Sequence, residues 1–362
     1  MFTPLINGLP NSVPFVGPEA LERKSGSKIV ARIGANENVF GPAPSVIAAI
    51  KANAAEAWAY GDPENFAVKA ALANHLNISP DNIAVGEGID GLFGLAVRLF
   101  IEPGTKVLTS LGAYPTFNFH VHGFGGTLLT TPYVNDHEDP SSLIALAKEH
   151  RPRILYFANP DNPMGTCWSA DDVQKLIDDV PAETIVMLDE AYSEFAPFGT
   201  MPKLDVGRKN LLRFRTFSKA YGLAGMRVGY CIGEADVIKA FDKIRNHFGV
   251  GRLSQVAAVA ALKDQAWLNH VVSEVKKSRQ RIYEIARENG LKPITSATNF
   301  AAVDCGKDGT YARKIVDGLL SHGIFIRMPG VAPLNRCIRI SCGTPIHLDA
   351  LADALPKVLA SC

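Results

Sequence analysis

Three short stretches of this chain are apolar almost throughout, and each runs straight into a polar or glycine-rich loop. Thr184-Ile185-Val186-Met187-Leu188 ends in Asp189-Glu190-Ala191-Tyr192. Arg153-Ile154-Leu155-Tyr156-Phe157 runs into Asn159-Pro160-Asp161-Asn162-Pro163-Met164-Gly165. Asn82-Ile83-Ala84-Val85 runs into Gly86-Glu87-Gly88-Ile89-Asp90-Gly91. A strand with one wet face alternates polar and apolar residues, so runs without alternation read as strands covered on both faces, as in parallel sheets flanked by helices. Sheets of that kind bind ligands beyond the C-terminal ends of their strands. Asp189 and the Asn-Pro turn stand at that place. The third run leads into an apolar helix to about Phe100, whose start offers backbone N–H groups to an anion. Glycines after a strand are common, and the spacing here is not GxGxxG.

A fourth segment carries the most specific chemistry. It reads Arg215-Thr216-Phe217-Ser218-Lys219-Ala220-Tyr221-Gly222-Leu223-Ala224-Gly225-Met226-Arg227. A lysine forms a Schiff base with a carbonyl only if its amine can lose its proton, and burial and nearby cations both favour that. Lys219, among Thr216, Ser218 and Arg227, reads either as such an amine beside a phosphate site or as a loop lysine after a buried strand.

Further motifs bear on that choice. Ala35-Asn36-Glu37-Asn38 precedes Phe40-Gly41-Pro42, Tyr60-Gly61-Asp62-Pro63 follows, and Arg339-Ile340-Ser341-Cys342-Gly343-Thr344 lies near the C-terminus. Taken in order, these segments resemble the fold-type I pyridoxal-phosphate-dependent aminotransferases, and most closely the histidinol-phosphate aminotransferase branch. The likeness covers nearly the whole chain. Each motif alone is moderately specific; the ordered set is strong.

The resemblance implies roles. Lys219 would bind the aldehyde of pyridoxal 5'-phosphate and later move the substrate α-proton. Asp189 would pair with the ring nitrogen and keep it protonated. Tyr192 and Asn162 would face the phenolic oxygen, and Tyr114 would stack on the ring. The phosphate cup would use backbone N–H groups of Gly88, Ile89 and Asp90, the Ser218 hydroxyl and a two-pronged contact from Arg227. Ile89 stands where many relatives have a small or hydroxyl residue, so Thr216 is a candidate supplement. Tyr60 would reach the phosphate of the neighbouring subunit, which calls for a homodimer. Arg339 and Arg327 would grip substrate anions, with Asn36 and Phe15 as further substrate contacts. Many enzymes of this branch carry a Pro-Tyr pair where Pro14-Phe15 stands here. Loss of that hydroxyl removes one phosphate contact and favours an aromatic side chain, so activity with phenylalanine or tyrosine is expected.

Each residue also has a plainer reading. A strand-end carboxylate can cap a turn, an Asn-Pro turn needs no ligand, and an isolated tyrosine or strand-end arginine commonly sits at the rim. The set as a whole argues against those readings.

With 362 residues, the chain is long enough for two domains and a large core. Hydrophobic residues make up 47% and charged residues 20%, which excludes a disordered or membrane chain. A net charge of +1 without a basic stripe gives nucleic acid no footprint. The start, Met1-Phe2-Thr3-Pro4-Leu5, lacks the features of a signal peptide. The six cysteines form no CxxC pair and read as free thiols in a reducing cytoplasm, and the nine histidines show no metal spacing.

The expected architecture is α/β. An N-terminal arm (1–33) precedes a large cofactor-binding domain with a doubly wound, mostly parallel sheet (34–247) and a small α+β domain (248–362) carrying Arg327 and Arg339. Pro44-Ser45 reads as a helix cap. Helices are expected over 235–245, 254–262 and 267–288, the last spanning both domains. A site at the junction could close on substrate and exclude water.

Three functions fit these features. The first is amino transfer from an imidazole or aromatic amine donor, histidinol phosphate foremost, to 2-oxoglutarate. The second is a lyase or decarboxylase using the same cofactor. Arg339 argues for the first, because a carboxylate held in the ring plane presents the α-C–H bond to Lys219. The third, a ligand-sensing module, fits poorly with the full set around Lys219.

Overall fold

A computed structural model describes residues 1–10 and 16–362. Phe15 lies outside the described residues. Strand β1 (Ala31–Arg32) comes first in the chain. The central sheet follows: β2 (Ile83–Gly86), β3 (Lys106–Ser110), β4 (Thr127–Thr131), β5 (Ile154–Ala158), β6 (Ile185–Asp189), β7 (Leu211–Thr216) and β8 (Gly229–Ile232). Their spatial order is β2-β8-β7-β6-β5-β3-β4. Only β8 runs against its neighbours. The C-terminal ends of β2, β3, β5, β6 and β7 therefore open on one edge, and the loops after them build the site.

The apolar runs are buried at every position because helices cover both faces. On one face Tyr156, Ile185, Met187 and Phe214 pack with Phe93 and Phe117, from helices Gly88–Phe100 and Pro115–Gly123. On the other, Leu155, Phe157, Val186 and Leu188 pack with Leu143, Val173 and Leu176, from helices Pro140–His150 and Ala170–Asp179. Alternate residues of one strand thus enter different cores. Phe117 and Tyr156 stack with ring centres 4.4 Å apart, and Phe93 meets Tyr156 edge-on.

The C-terminal region adds β9 (Lys292–Pro293), β10 (Phe300–Asp304), β11 (Ile324–Phe325) and β12 (Cys337–Ser341). Strand β10 lies between β9 and β12, both antiparallel to it. Helices Gly309–Ser321 and Pro345–Ser361 pack together, and the long helix Gln265–Glu288 contacts β10. The chain belongs to the α/β class expected from the sequence.

Two expected boundaries cut across packed elements. Strand β1, placed in the arm, pairs in parallel with β11, and Ala31 and Ile33 are fully buried in the core. Helix Arg252–Lys263, placed in the small domain, packs on helices Pro44–Asn53 and Phe66–Leu76. The reason is apolar burial, which follows packing rather than chain order. The Pro44-Ser45 cap is also corrected. Ala43 is the N-cap, Pro44 takes the first turn, and Ser45 Oγ donates to Asp264 Oδ2 at 2.5 Å. Asp264 itself caps the long helix by accepting from Trp267 N–H.

No helix among the described residues is long and apolar enough to cross a membrane. All six cysteines are unpaired. Among the described residues no group of three or more His, Cys, Asp or Glu could hold a metal ion.

A buried ion triad ties the ends of β6 and β7. Glu190 accepts from Arg213 Nη2 at 2.5 Å and from Arg215 Nε at 2.8 Å, while Arg213 also donates to the carbonyls of Pro202 and Lys203. Neither Glu190 nor Arg213 is more than 1% exposed. Glu190→Ala would leave two cations uncompensated in the core. We expect it to destabilise the fold by roughly 3–5 kcal/mol; unchanged urea unfolding would remove the triad from the stabilising contacts.

Candidate active site

A cavity of about 230 Å³ opens at the C-terminal edge of the sheet. Its wall includes Ile89, Asp90, Tyr114, Asn162, Asp189, Tyr192, Thr216, Ser218, Lys219 and Arg227, together with Ala35 and Glu37. The structure thus gathers most residues singled out from the sequence into one hollow, from five separate loops.

Asp189 ends β6, and parity with Tyr156 on the adjacent β5 brings the two together. Tyr156 Oη donates to Asp189 Oδ2 at 2.6 Å, and Ala191 N–H donates to Oδ1 at 2.9 Å. Burial pushes the Asp189 carboxyl up to about 6, against these two hydrogen bonds, which favour its charged form. Sequence reasoning missed Tyr156; its place on the neighbouring apolar strand, two residues before Ala158, the partner of Asp189, was the available signal.

Lys219 follows β7 and is half-buried. Its Nζ donates to the Asn36 carbonyl at 3.3 Å and lies 5.7 Å from the centre of the Tyr192 ring. Burial lowers its pKa to about 8, and the charges of Arg339 and Arg227 act in the same direction against that of Asp90.

One end of the cavity is built from main chain and Arg227. Gly88 opens its helix with φ +74°, and a Cβ there would lie 2.5 Å from Arg227 Nη2. Glycine is needed so that the guanidinium can lie against the helix start. Arg227 Nη1 donates to Ser218 Oγ at 3.4 Å and to the Ala224 carbonyl at 3.1 Å. Thr216 Oγ1 donates to Ser218 Oγ and accepts from Ser218 N–H, both at 3.0 Å. Thr216 therefore positions Ser218. Ile89 presents only its backbone. Tyr114 Oη donates to Asp90 Oδ2 at 3.2 Å, and Asp90 Oδ1 is buried without a partner among the described residues.

Across the cavity, Arg339 on β12 is buried and donates through Nη1 to Asn162 Oδ1 at 2.7 Å. Among the described residues its Nε has no partner, and burial lowers its pKa to about 10. Arg327 and Arg339 form an antiparallel bridge, with main-chain N–H to O distances of 3.2 and 2.6 Å. Arg327 Nη2 also donates to the Val16 carbonyl at 3.4 Å, and its guanidinium lies over the Phe325 ring.

Asn36 was expected to touch substrate. Its side chain is engaged elsewhere: Nδ2 donates to Tyr192 Oη at 3.0 Å, and Oδ1 accepts from Ser341 Oγ at 3.1 Å. Its N–H donates to the same serine, with φ +55°. The two residues lie 305 positions apart, so no local pattern reveals the link. Tyr60 is outside this cavity. It is 76% exposed, stacks near Phe248 and lines a separate hollow with Arg252 and Gln255.

In the protein without ligand, Lys219 should react with an amine-directed electrophile along a curve rising through about pH 8, with roughly a tenth of it neutral at pH 7. A curve centred near 10.4, the ordinary value for lysine, would contradict the burial argument.

Comparison with known proteins adds the family. The model of aminotransferase class I and II matches residues 28–355. Histidinol-phosphate aminotransferase of Moorella thermoacetica is 31% identical over 352 residues, covering 96% of this chain and 90% of that protein. Histidinol-phosphate aminotransferase 2 of Pseudomonas fluorescens is 34% identical over 335 residues, covering 91% of this chain and 89% of that protein. The crystal structure of histidinol-phosphate aminotransferase from Sinorhizobium meliloti in complex with pyridoxal-5'-phosphate superposes with a TM-score of 0.97 at 57% identity, covering 99% of this chain and 98% of that one. The fold, the lysine-centred cavity and the length of these matches lead to one conclusion: the chain belongs to the class I and II aminotransferases.

Proposed function

We propose that this protein uses pyridoxal 5'-phosphate to transfer an amino group from histidinol phosphate to 2-oxoglutarate. The observation that carries the cofactor is a half-buried Lys219 amine in one cavity with Asp189 and Arg227. The residues present fit the group. The Gly88 helix start and Arg227 form a cradle that a Cβ would fill, and Asn162, with Oδ1 engaged, keeps Nδ2 as a donor. When bound, the cofactor supplies an electron sink for the bond broken at the substrate α-carbon.

The chain supplies the rest. Gly88, Ile89 and Asp90 N–H groups, Ser218 and Arg227 would hold the phosphate. Asp189 would hold a proton at the ring nitrogen; a cation there would draw its pKa back down. Tyr114 would lie against the ring. Tyr192, which accepts from Asn36, and Asn162 would donate to the phenolic oxygen. The Lys219 amine, lowered to about 8, is suited to take the α-proton near neutral pH. Arg339, with its buried and unpartnered Nε, would take the substrate anion beside Arg327. The names of the similar enzymes support histidinol phosphate as donor.

Tyr60 would complete the site of a second copy. Its exposure outside its own cavity supports that reading, as do exposed Trp58, Phe66 and Phe248 nearby in the chain or in space. A large exposed apolar patch commonly marks an interface. A fully active monomer in gel filtration coupled to assay would remove Tyr60 from the site.

An absorbance spectrum of the loaded protein tests the reaction. Histidinol phosphate and glutamate, added separately, should each convert the aldehyde form of the cofactor to its amine form, and Lys219→Ala should abolish both conversions. A cofactor band that no amine donor converts would point to a lyase. Arg227→Ala should weaken cofactor binding about 10- to 100-fold, as expected for lost hydrogen bonds to a charged group. Gly88→Ala should act in the same direction. Unchanged affinity in both would move the phosphate site elsewhere.

A further inference from the structure

Glu37 lines the cavity and has no part in the roles assigned above. Its loop is held from several sides. Asn36 N–H donates to Ser341 Oγ at 2.9 Å, and Asn299 Nδ2 donates to the carbonyls of Asn36 and Glu37 at 3.1 and 3.4 Å. Asn38 Nδ2 donates to the Ala220 carbonyl at 3.0 Å.

The side chain is fixed as well. Arg32 Nε and Nη2 donate to its two carboxylate oxygens, both at 2.6 Å. Arg32 stands on β1, which the β11 pairing anchors, and also bridges to Glu19. The hydrogen-bonded cluster thus holds two acids and one base. A two-pronged contact leaves each carboxylate oxygen a further lone pair. Glu37 shares the cavity wall with Lys219, Tyr192 and Asn162, the residues that would border a substrate.

A fixed acceptor of negative charge there finds nothing to accept from a phenyl ring. An imidazole N–H satisfies it. We propose that Glu37, held by Arg32, is the specificity-determining residue that accepts the ring N–H of an imidazole-bearing amine donor. This rests on the donor class given above. The selection is two-sided: the N–H gains a charge-assisted hydrogen bond, while a phenyl ring would strip water from a carboxylate and return nothing. Sites built to bond a substrate N–H discriminate strongly against analogues that lack it.

The test compares wild-type protein with Glu37→Gln and Glu37→Ala, all loaded with pyridoxal phosphate and checked for equal cofactor absorbance. The readout is the ratio of kcat/KM for histidinol phosphate to that for phenylalanine. The ratio should fall about tenfold or more in Glu37→Ala and less in Glu37→Gln, which keeps an acceptor oxygen. Arg32→Ala, which releases the carboxylate, should lower it too. A merely structural role would lower both donors together and leave the ratio unchanged; that result overturns the proposal. If the wild-type protein does not turn over histidinol phosphate, the donor reading fails by itself. The ratio for histidine against phenylalanine in the same proteins then decides Glu37, a fall supporting the assignment and constancy overturning it.

Discussion

Desolvation is the constraint on which the site depends. The sheet edge draws an amine and a carboxyl out of water into one small cavity, and β12 buries a guanidinium beside it; each is pushed toward its neutral form: Lys219 and Arg339 downward, Asp189 upward. Glu190 lies only one residue from Asp189 but is held below the ordinary value, because Arg215 and Arg213 outweigh its burial. The same sheet thus keeps one acid permanently charged within its frame and another responsive at its edge. A ligand that supplies the missing counter-charges recovers part of what burial withholds, so binding and folding are linked in this fold.

The architecture explains how such groups can be held in place. Strands covered on both faces leave little freedom to the residues at their ends. Tyr156 is fixed by stacking on Phe117 before it fixes Asp189, and Ser218 is fixed by Thr216 before it meets Arg227. Each chemical group is steadied by a residue whose own position follows from packing or from a short local turn.

Much of this was legible in the sequence, for identifiable reasons. Asp189 and Asn162 follow uninterrupted apolar runs, and such runs mark buried strands with their ligand-binding ends. Lys219 and Arg227 stand in a glycine-punctuated segment whose residue types are unusual together. Contacts between distant parts of the chain were not legible. Asn36 reaches Ser341 and Tyr192, and β1, only two residues long, is set by pairing with β11. Ser45 looked like a cap because the residue type suits one, but a tertiary partner, Asp264, took its hydroxyl. The arm's last residues looked irregular because their apolar positions are too few to show a period, although Ala31 and Ile33 enter the core.

The main-chain bridge between Arg327 and Arg339 has a consequence for how one site could serve ligands of unlike size. Two backbones cross-bonded at neighbouring positions cannot be drawn apart without breaking those bonds, so their separation is a fixed gauge. A planar carboxylate and a bulkier tetrahedral phosphate would then be matched by rotation about side-chain bonds alone. Arg327 lays its guanidinium over Phe325 and donates to the Val16 carbonyl, while Arg339 is clamped to Asn162.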